Sequence, residues 1–437
     1  MHNIQGGPKR IAIVGGGISG LGAAWALRHT HDVTVFEKEG RLGGHADTQT
    51  IGYDGQPIDV DTGFIVYNTH NYPNLVRLFD HLGVETTPSD MSFAVSDPNA
   101  FEWSSNGFNG IFAWKRNLAN PSFVGMLSDI VRFSASARQD LEHGRVADIS
   151  LADYVAQLKL GQTFLNQYLI PMGAAIWSTP EREMLRYPAL SFLRFFDNHR
   201  LLHSERPRWR TVKGGSKAYV AALAHILGDR VRKSHPVVAI ERADDCVTVV
   251  TRGGGRATFD EVILACHSDE ALAILGDASE QERALLGAIR YEPNTAWLHR
   301  DPRLMPRRPS AWASWNYMRA AGAEGRVCVT YWMNLLQGID RAKPVFVTLN
   351  PETPPSPELT FGRYAYSHPQ FNAEALAARN AIEAAQGARR TWFAGAWLGN
   401  GFHEDGLSSG LRVARRLGGA TPWRAEEPPM SEKARAA

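Results

Sequence analysis

The sequence is poor in cysteine and has no marked excess of charge. Three cysteines occur in 437 residues, at positions 246, 266 and 328, and no two of them form a CxxC pair. This scarcity predicts neither a disulfide framework nor a zinc ribbon, and it favours a reducing compartment. The 47 Lys and Arg residues nearly balance the 45 Asp and Glu residues, for a net charge of +2. The balance argues against a dedicated nucleic-acid-binding protein, although it allows local basic patches.

Long apolar runs are absent as well. No stretch of eighteen apolar residues occurs, and the opening sequence MHNIQGGPKR has no apolar segment of the kind found in secretory signals. We therefore expect a cytoplasmic protein, with any membrane contact limited to a peripheral one at the inner face of the cytoplasmic membrane. The chain is about three times as long as a common domain, which predicts one large domain or two interleaved domains.

A glycine-rich segment near the N-terminus has the pattern of a dinucleotide-binding unit. The apolar strand 11–14 precedes glycines at 15, 17 and 20, a helical pattern, and a second strand, DVTVFE, that ends on Glu37. Gly15 permits a tight turn, Gly17 lets the backbone approach a pyrophosphate, and Gly20 lets helix and strand pack closely. The helix N-terminus favours phosphates, and Glu37 is placed to bind a ribose. A purely structural glycine turn is the alternative, which the surrounding strands, helix and acid disfavour.

The segment after Glu37 narrows the choice of dinucleotide cofactor. The sequence EKEGRLGGHADT resembles the extension that follows the ribose acid in flavoproteins of the amine oxidase and phytoene desaturase superfamily, in which an arginine and a Gly-Gly pair contact FAD. The matching positions are Arg41, Gly43 and Gly44. The later segment VDTGFIVYN, with Gly63 and Phe64, resembles the superfamily's segment beside the isoalloxazine, although alone it reads as a strand with a glycine bulge.

Further matches along the chain imply the fold. The segments VKGGSKAYVAALAHIL and HPVVAIERADDC resemble a Gly-Gly turn with its helix and a strand that contacts adenine near Val237. The resemblance implies an α/β fold of the amine oxidase type, in which a Rossmann-type FAD-binding domain is interleaved with a substrate domain of antiparallel sheet and helices. The predicted FAD-binding segments are 8–80, 212–270 and 386–420, and the substrate segments are 81–211 and 271–385. The tail 421–437 is predicted to be disordered.

A closer resemblance concerns one bacterial branch of FAD-dependent oxidoreductases. It rests on NYPNLVRLF, LIPMGAAIWSTP, WRTVKGGSKAYV, YWMNLLQ and GFHEDGL, which span nearly the whole chain. Members of this branch are often encoded near methyltransferases similar to cyclopropane-fatty-acid synthases, and some relatives are implicated in furan fatty acid synthesis. The resemblance therefore implies a lipid or fatty acyl substrate and a lipid methyltransferase partner.

The segment GFHEDGLSSGLRVARRL predicts the last helix of the FAD-binding domain. Its leucines and alanine recur with helical spacing, and this pattern places the helix N-terminus at Asp405 and Gly406. In the resembling flavoproteins this helix points its free N–H groups at the flavin pyrimidine, where negative charge grows during reduction. The resemblance makes Asp405 an N-cap or ribityl partner, with amides supplied by Gly406 and Leu407.

The three titratable residues at this helix start allow different interpretations. His403 falls where amine oxidases carry an aromatic residue facing the substrate, which makes it a candidate base or positioning group. A buried histidine that only shapes the turn is the alternative, and Glu404 is alternatively a solvated side chain. Consecutive residues on a turn cannot all converge on a metal, and His199 and His203 lack an acidic partner, so we predict no metal site.

Two departures from the amine oxidase pattern bear on the reaction. Relatives often have an acid or a threonine after the sequence FAG, where this chain has Ala396. Many amine oxidases keep a lysine near flavin N5, whereas the corresponding region here has Asn294 and Thr295. Typical amine oxidation is therefore disfavoured. The chain also lacks the cysteine that tethers flavin in some relatives, which implies non-covalent FAD.

The site prediction combines these observations. The predicted catalytic residues are His403, Glu404 and Tyr331. The predicted FAD contacts are Gly15, Gly17, Ile18, Ser19, Gly20, Glu37, Lys38, Arg41, Leu42, Gly43, Gly44, His45, Thr62, Gly63, Phe64, Val237, Gly395, Ala396, Asp405, Gly406 and Leu407.

The function that the resemblance implies is removal of two hydrogens from an unsaturated or methylated acyl chain. Oxidation of an amine or a polyene is the first alternative, and a non-catalytic flavin-bound partner of a lipid methyltransferase is the second. The apolar stretches around 177–196 and 331–337 fit a substrate tunnel or an ordinary core. Two basic loops fit a phospholipid surface or a solvated loop: Arg206, Arg208, Arg210 and Lys213 in the first, and Arg300, Arg303, Arg307 and Arg308 in the second.

Overall fold

The computed structural model describes residues 7–177, 179–205, 207–319 and 327–423. Arg206 and most of the tail predicted to be disordered, residues 424–437, lie outside the described residues. Within the described ranges, no helix combines the length and the apolar character needed to cross a bilayer.

The strands of the described residues form five sheets. Their bounds are β1 (Arg10–Val14), β2 (Asp32–Phe36), β3 (Thr48–Tyr53), β4 (Gln56–Asp61), β5 (Val66–Asn68), β6 (Thr86–Pro88), β7 (Phe93–Asp97), β8 (Phe101–Ser104), β9 (Trp209–Val212), β10 (Val231–Arg232), β11 (Val237–Arg242), β12 (Val247–Thr251), β13 (Arg256–Phe259), β14 (Glu261–Leu264), β15 (Tyr291–His299), β16 (Trp315–Met318), β17 (Val329–Trp332), β18 (Phe346–Leu349), β19 (Thr360–Pro369) and β20 (Thr391–Phe393).

The helices of the described residues pack against these sheets. Their bounds are α1 (Ile18–Leu27), α2 (Pro73–Leu82), α3 (Gly107–Ile111), α4 (Pro121–Glu142), α5 (Leu151–Gln157), α6 (Gln162–Phe164), α7 (Ile170–Trp177), α8 (Glu181–Met184), α9 (Ala189–Asn198), α10 (Lys217–Leu227), α11 (Ser268–Ile274), α12 (Glu280–Gly287), α13 (Met333–Leu336), α14 (Ala373–Ala385) and α15 (His403–Arg416).

A five-stranded parallel sheet, in the order β10-β2-β1-β14-β20, forms the nucleotide-binding half. Its central strand β1 is apolar and buried from Ile11 to Val14, because helices or a second sheet cover both of its faces. The strands come from three separate parts of the chain. The predicted α/β class, with a Rossmann-type unit interleaved with antiparallel sheet and helices, is confirmed. The domain boundaries stay predictions.

A seven-stranded sheet, in the order β19-β15-β18-β17-β16-β7-β8, forms the other half. Its pairings are antiparallel except for the parallel contact between β16 and β7. The helices of residues 121–198 pack against it through a large aromatic core that includes Phe133, Phe164, Phe192 and Phe196. This core accounts for most of the apolar stretch around 177–196. Part of that stretch also reaches the cavity described below.

The first and the last helix of the described residues, α1 and α15, pack backbone against backbone. A Cβ atom at Gly410 would collide with the carbonyl oxygen of Ser19, and a Cβ at Gly22 would lie 2.6 Å from Leu407 Cδ1. Glycine at these positions therefore lets α1 and α15 approach more closely than any side chain would allow. Helix α15 begins at His403, two residues before the predicted start at Asp405, because the Asp405 carboxylate accepts the Phe402 N–H from inside the first turn.

The substitution Gly410→Ala tests this packing. The added methyl group must displace the α1 backbone, and overpacking of this kind costs about 1–3 kcal/mol, so we expect a lower Tm. Gly125→Ala is the matched control, because a Cβ at that position in α4 meets open space. The control should raise helix propensity and leave Tm unchanged or higher. Equal thermal stability of the two variants would contradict the packing account.

Candidate functional site

A cavity of about 1580 Å³ joins the two halves of the molecule. One end lies where the parallel strands stop, at Val14, Phe36, Ala265 and Gly395, and the far wall reaches Trp315 in the seven-stranded sheet. Ligands of open parallel sheets bind at this carboxyl edge. Typical ligand pockets measure about 300–1,000 Å³, so the cavity has room for a large cofactor and a substrate.

The glycine turn has the geometry that its spacing predicts. Gly15 has φ 115° and lies so close to the next strand that a Cβ would be 2.5 Å from the Ala265 carbonyl oxygen. A Cβ at Gly20 would collide with the Gly15 carbonyl, so this glycine closes helix onto strand. A Cβ at Gly17 meets nothing nearer than Gly44 Cα at 4.0 Å. Gly17 therefore presents bare backbone to the cavity at the start of α1, as a diphosphate requires.

Glu37 and Arg41 hold the two loops that flank this turn. The Glu37 carboxylate accepts the Gly16 N–H at 2.7 Å and lines the cavity at the end of β2. Arg41 pairs with Asp47 at 3.0 Å and donates to the Gly44 carbonyl at 3.0 Å. These contacts fix the Gly-Gly loop beside α1. The open glycine backbone, the helix N-terminus and the buried acid together fit the diphosphate and ribose of FAD.

The Gly-Gly loop also reaches the segment predicted to lie beside the isoalloxazine. Phe64 donates its N–H to the His45 carbonyl at 2.7 Å, and a Cβ at Gly63 would collide with that same carbonyl. Thr62 hydrogen-bonds the Tyr366 hydroxyl at 2.7 Å. The backbone at 62–64 thus forms a wall of the cavity with the Phe64 ring on it.

His403 lies in this wall at the first residue of α15. Its ring stacks on Phe64, with centroids 3.8 Å apart and planes 8° apart, and its Nε2 lies 2.6 Å from the Tyr219 hydroxyl. Burial lowers the pKa of His403 to about 3. The imidazole is therefore neutral at physiological pH and is a weak proton acceptor. Its two contacts make it a positioning group, one of the two roles predicted for it.

Glu404 does not reach the cavity, contrary to its predicted catalytic role. Its carboxylate accepts the backbone N–H groups of Asn74 at 3.1 Å and Leu75 at 3.0 Å, and the Ser408 hydroxyl at 3.1 Å. Glu404 is also buried rather than solvated, with 4% exposure. It acts as a capping group for the start of α2, whose free N–H groups need an acceptor. It fastens α2 to α15.

Three predicted FAD contacts at the start of α15 also turn away from the cavity. The Asp405 carboxylate accepts a hydrogen bond from the Phe402 N–H at 2.9 Å. The Gly406 N–H donates to the Phe402 carbonyl at 3.1 Å inside the helix. Leu407 is fully buried against Gly22. The cause is helical geometry, because only part of a helix surface can face the cavity. Leu42 similarly covers Gly16 instead of lining the cavity.

Gly20, also predicted as an FAD contact, packs on the Gly15 carbonyl and does not line the cavity, whereas the remaining predicted residues come together in the cavity wall. Tyr331 packs edge-on against Trp315 with centroids 4.8 Å apart, and burial raises the pKa of its phenol, so the hydroxyl stays protonated. It can donate a hydrogen bond but cannot act as a base at neutral pH. The predicted residues that line the cavity are Gly15, Gly17, Ile18, Ser19, Glu37, Lys38, Arg41, Gly43, Gly44, His45, Thr62, Gly63, Phe64, Val237, Tyr331, Gly395, Ala396 and His403.

The sequence did not reveal several polar groups of the cavity. His267 and His368 lie 5.9 Å and 5.6 Å from His45 between ring centroids, and all three line the cavity. Burial lowers the pKa of each ring, to about 4 for His368, so all three are neutral at physiological pH. His267 follows the parallel strand β14, and that position is a signal for ligand contact. His368 and Tyr219 carry no comparable signal.

The substitution Gly17→Val tests the diphosphate site. Gly17 has an ordinary φ of −78°, and the valine side chain finds space in the cavity, so the fold should persist while FAD is excluded. Gly52→Val is the matched control, because a Cβ there meets open space far from the cavity. The measurement is flavin absorbance per protein after purification. A yellow Gly17→Val protein would refute the assignment.

The substitution Glu404→Gln tests the capping role. Burial raises the pKa of Glu404 from 4.5 to about 7, so the folded state binds this proton more tightly than the unfolded chain. Its contribution to stability is therefore complete below about pH 4.5 and is lost as pH rises through about 7. The Tm of the native protein minus that of the variant should fall from about pH 5 to about pH 8. A pH-independent difference, or a changed rate of flavin reduction, would contradict this role.

Comparison with known families agrees with the site. A family model described as flavin containing amine oxidoreductase matches residues 18–297, more than half of the chain. The flavin-dependent L-tryptophan oxidase RebO of Lentzea aerocolonigenes is 27% identical over 275 residues, 57% of this chain and 55% of that protein. Coproporphyrinogen III oxidase of Mycobacterium tuberculosis (strain ATCC 25618 / H37Rv) is 27% identical over 279 residues, 59% of each chain. The chain thus spans little more than half the length of these curated relatives.

Solved structures share the fold over nearly the whole chain. Putrescine oxidase bound to putrescine gives a TM-score of 0.69 at 15% identity, covering 94% of this chain and 99% of that one. The CLA-producing fatty acid isomerase from P. acnes gives 0.67 at 15% identity with the same coverage. These likenesses concern the fold alone, and with the family match they confirm the predicted amine oxidase-like architecture and FAD as the cofactor. The chain belongs to the flavin-containing amine oxidoreductase family, a family of FAD-dependent oxidoreductases.

Proposed function

We propose that this protein oxidises the acyl chain of an anionic lipid. The reaction removes a proton and a hydride from an unsaturated or methylated chain and introduces a double bond. The observation that carries the proposal is the part of the cavity beyond the FAD-binding elements. Apolar side chains make up most of its wall, and Arg200, Arg208 and Arg210 lie along it with His199 and His203. The apolar side chains include Met91, Met172, Ile176, Phe195, Trp209 and Phe402.

The charges along this wall favour an anionic substrate over an amine. Arg200, Arg208 and Arg210 line the cavity from the segment after α9. Three of the four carboxylates of the cavity belong to the FAD-binding elements, and the fourth, Asp90, accepts hydrogen bonds from Ser92 and Ser314. A carboxylate or phosphate head group would find cations there, whereas an ammonium group would be repelled.

The chain's own residues bind and orient such a substrate. The apolar wall excludes water and holds the acyl chain, while the arginines anchor its charged end. His403, stacked on Phe64 and tied to Tyr219, presents a fixed and neutral edge to the cavity. Bound FAD would accept the hydride, a neutral imidazole of the cavity wall would take the proton and pass it to solvent, and dioxygen or a quinone would reoxidise the flavin. An allylic C–H bond is the preferred site, because an unactivated C–H bond is too weakly acidic to lose a proton.

The structural similarity to a fatty acid isomerase is compatible with a lipid substrate. A CLA-producing fatty acid isomerase shares the fold. A lipid methyltransferase is the partner that we propose, since it would supply methylated chains for a furan fatty acid-type pathway. Oxidation of an amine or a polyene is the second candidate function, because the similar proteins include a tryptophan oxidase, a putrescine oxidase and a coproporphyrinogen oxidase. A non-catalytic role is disfavoured, because the cavity is open beside His403.

Anaerobic reduction of the bound flavin tests the proposal. Unsaturated or methylated anionic phospholipids and fatty acids should bleach the flavin absorbance, and diamines should leave it oxidised. Arg208→Gln should raise the half-saturating lipid concentration about tenfold, as expected for the loss of one charged contact, with little effect on the limiting rate. Arg252→Gln is the matched control, an exposed arginine outside the cavity. Bleaching by amines alone would overturn the proposal.

A further inference from the structure

Exposed apolar side chains are concentrated in one part of the surface. Among the described residues, six large apolar side chains are exposed, and four of them lie between residues 108 and 131. They are Phe108 at 67%, Leu118 at 52%, Val124 at 48% and Val131 at 69% exposure. Single exposed apolar residues are common on protein surfaces, but a cluster in consecutive elements marks a contact surface.

The core does not require these four side chains. Helix α4 already buries Phe123, Met126 and Phe133 against the aromatic core. Val124 and Val131 are seven residues apart, about two helical turns, and therefore share the opposite face. An apolar side chain on this face contributes nothing to the core of the chain and stays available to a partner outside it.

The elements that carry these side chains are neighbours in the fold. Phe112 at the end of α3 contacts Phe108, with centroids 4.8 Å apart, and Phe123 at the start of α4, with centroids 6.1 Å apart. Ser105 and Asn106, which immediately precede α3, line the cavity. The segment that carries Phe108 therefore begins at the cavity wall.

The charges of this stretch leave Lys115 and Arg116 without an acidic partner among the described residues. Residues 105–142, up to the end of α4, contain four cations, at Lys115, Arg116, Arg132 and Arg138, and three acids, Asp129, Asp140 and Glu142. Asp129 is buried and pairs with Arg132 at 2.9 Å. Basic side chains close to an anionic membrane strengthen binding to it. A second copy of the chain would bring like charges together, so the charge favours a bilayer over self-association.

Several cations of the two basic loops that the sequence suggested for this role are paired within the chain. Arg300 pairs with Asp54 at 2.9 Å, and Arg308 pairs with Glu102 at 2.8 Å. Lys213 pairs with Glu85 at 2.6 Å. These three cations are compensated within the chain, unlike Lys115 and Arg116, for which no ion pair is found among the described residues.

We propose that α3, the 3₁₀ turn Lys115–Ala119 and the outer face of α4 form a docking face for an anionic lipid bilayer. The four apolar side chains enter the interfacial region, and the flanking cations contact lipid phosphates. Docking of this kind is peripheral. It would bring the cavity wall at Ser105 and Asn106 close to membrane lipids.

Vesicle co-sedimentation of the full-length holoprotein tests the docking face. The native protein should bind vesicles of phosphatidylglycerol mixed with phosphatidylcholine, and more weakly vesicles of phosphatidylcholine alone. The double variant Phe108→Asp/Val131→Asp should bind the anionic vesicles at least about tenfold more weakly, because two apolar insertions are lost. The double variant Ile226→Asp/Val238→Asp is the matched control, since it alters the two exposed apolar side chains outside this stretch.

A second variant distinguishes loss of membrane docking from a folding defect. Lys115→Glu/Arg116→Glu changes only exposed charges and should also weaken binding, with the loss largest at low salt. Flavin content and flavin reduction by detergent-dispersed lipid should stay native in both docking variants, so failure of the docking face is distinguishable from failure of the proposed reaction. Native vesicle binding by the docking variants would overturn the proposal. So would a concentration-dependent dimer in light scattering that Phe108→Asp/Val131→Asp abolishes.

Discussion

Direct backbone contact between α1 and α15 is the constraint on which the site depends. The two helices come from opposite ends of the chain, and glycines at 22 and 410 remove the side chains that would separate them. Because both helices begin at the cavity, at Ile18 and His403, this contact brings two helix N-termini to one ligand. Each contributes a partial positive charge, which suits a diphosphate at one end and an electron-rich ring at the other.

Buried hydrogen bonds fix the position of α15 relative to α2 and to the loop before α15. Glu404 ties α2 to α15 through backbone N–H groups, and Asp405 closes the loop that precedes α15. Burial raises the pKa of Glu404 to about 7 and that of Asp405 to about 6, so both carboxyls depend on their hydrogen bonds for stability. Glu404 and Asp405, which the sequence predicted to be a catalytic residue and an FAD contact, therefore fix the start of α15 from outside the cavity. His403 is the residue of the three that lines the cavity wall.

The sequence predicted the parts of the site that local rules determine. The glycine spacing around Gly15 and the acid at Glu37 define a turn and a strand end, and both occur as expected. Which side of a helix faces the cavity depends on tertiary packing, and for that reason Gly406 and Leu407 were misplaced. The histidines at 45, 267 and 368 meet only after three distant segments fold together. No pattern in the local sequence indicates that these three side chains come together.

A crystal structure of the purified protein with a long-chain unsaturated carboxylic acid tests the central claim most directly. The account predicts FAD along the cavity, with its diphosphate at Gly17 and its ring system near Phe64 and His403. It also predicts the acid in the remaining space, with its carboxylate near Arg200 or Arg208. A flavin bound elsewhere, or an acid whose carboxylate lies among the apolar side chains away from the arginines, would contradict the account.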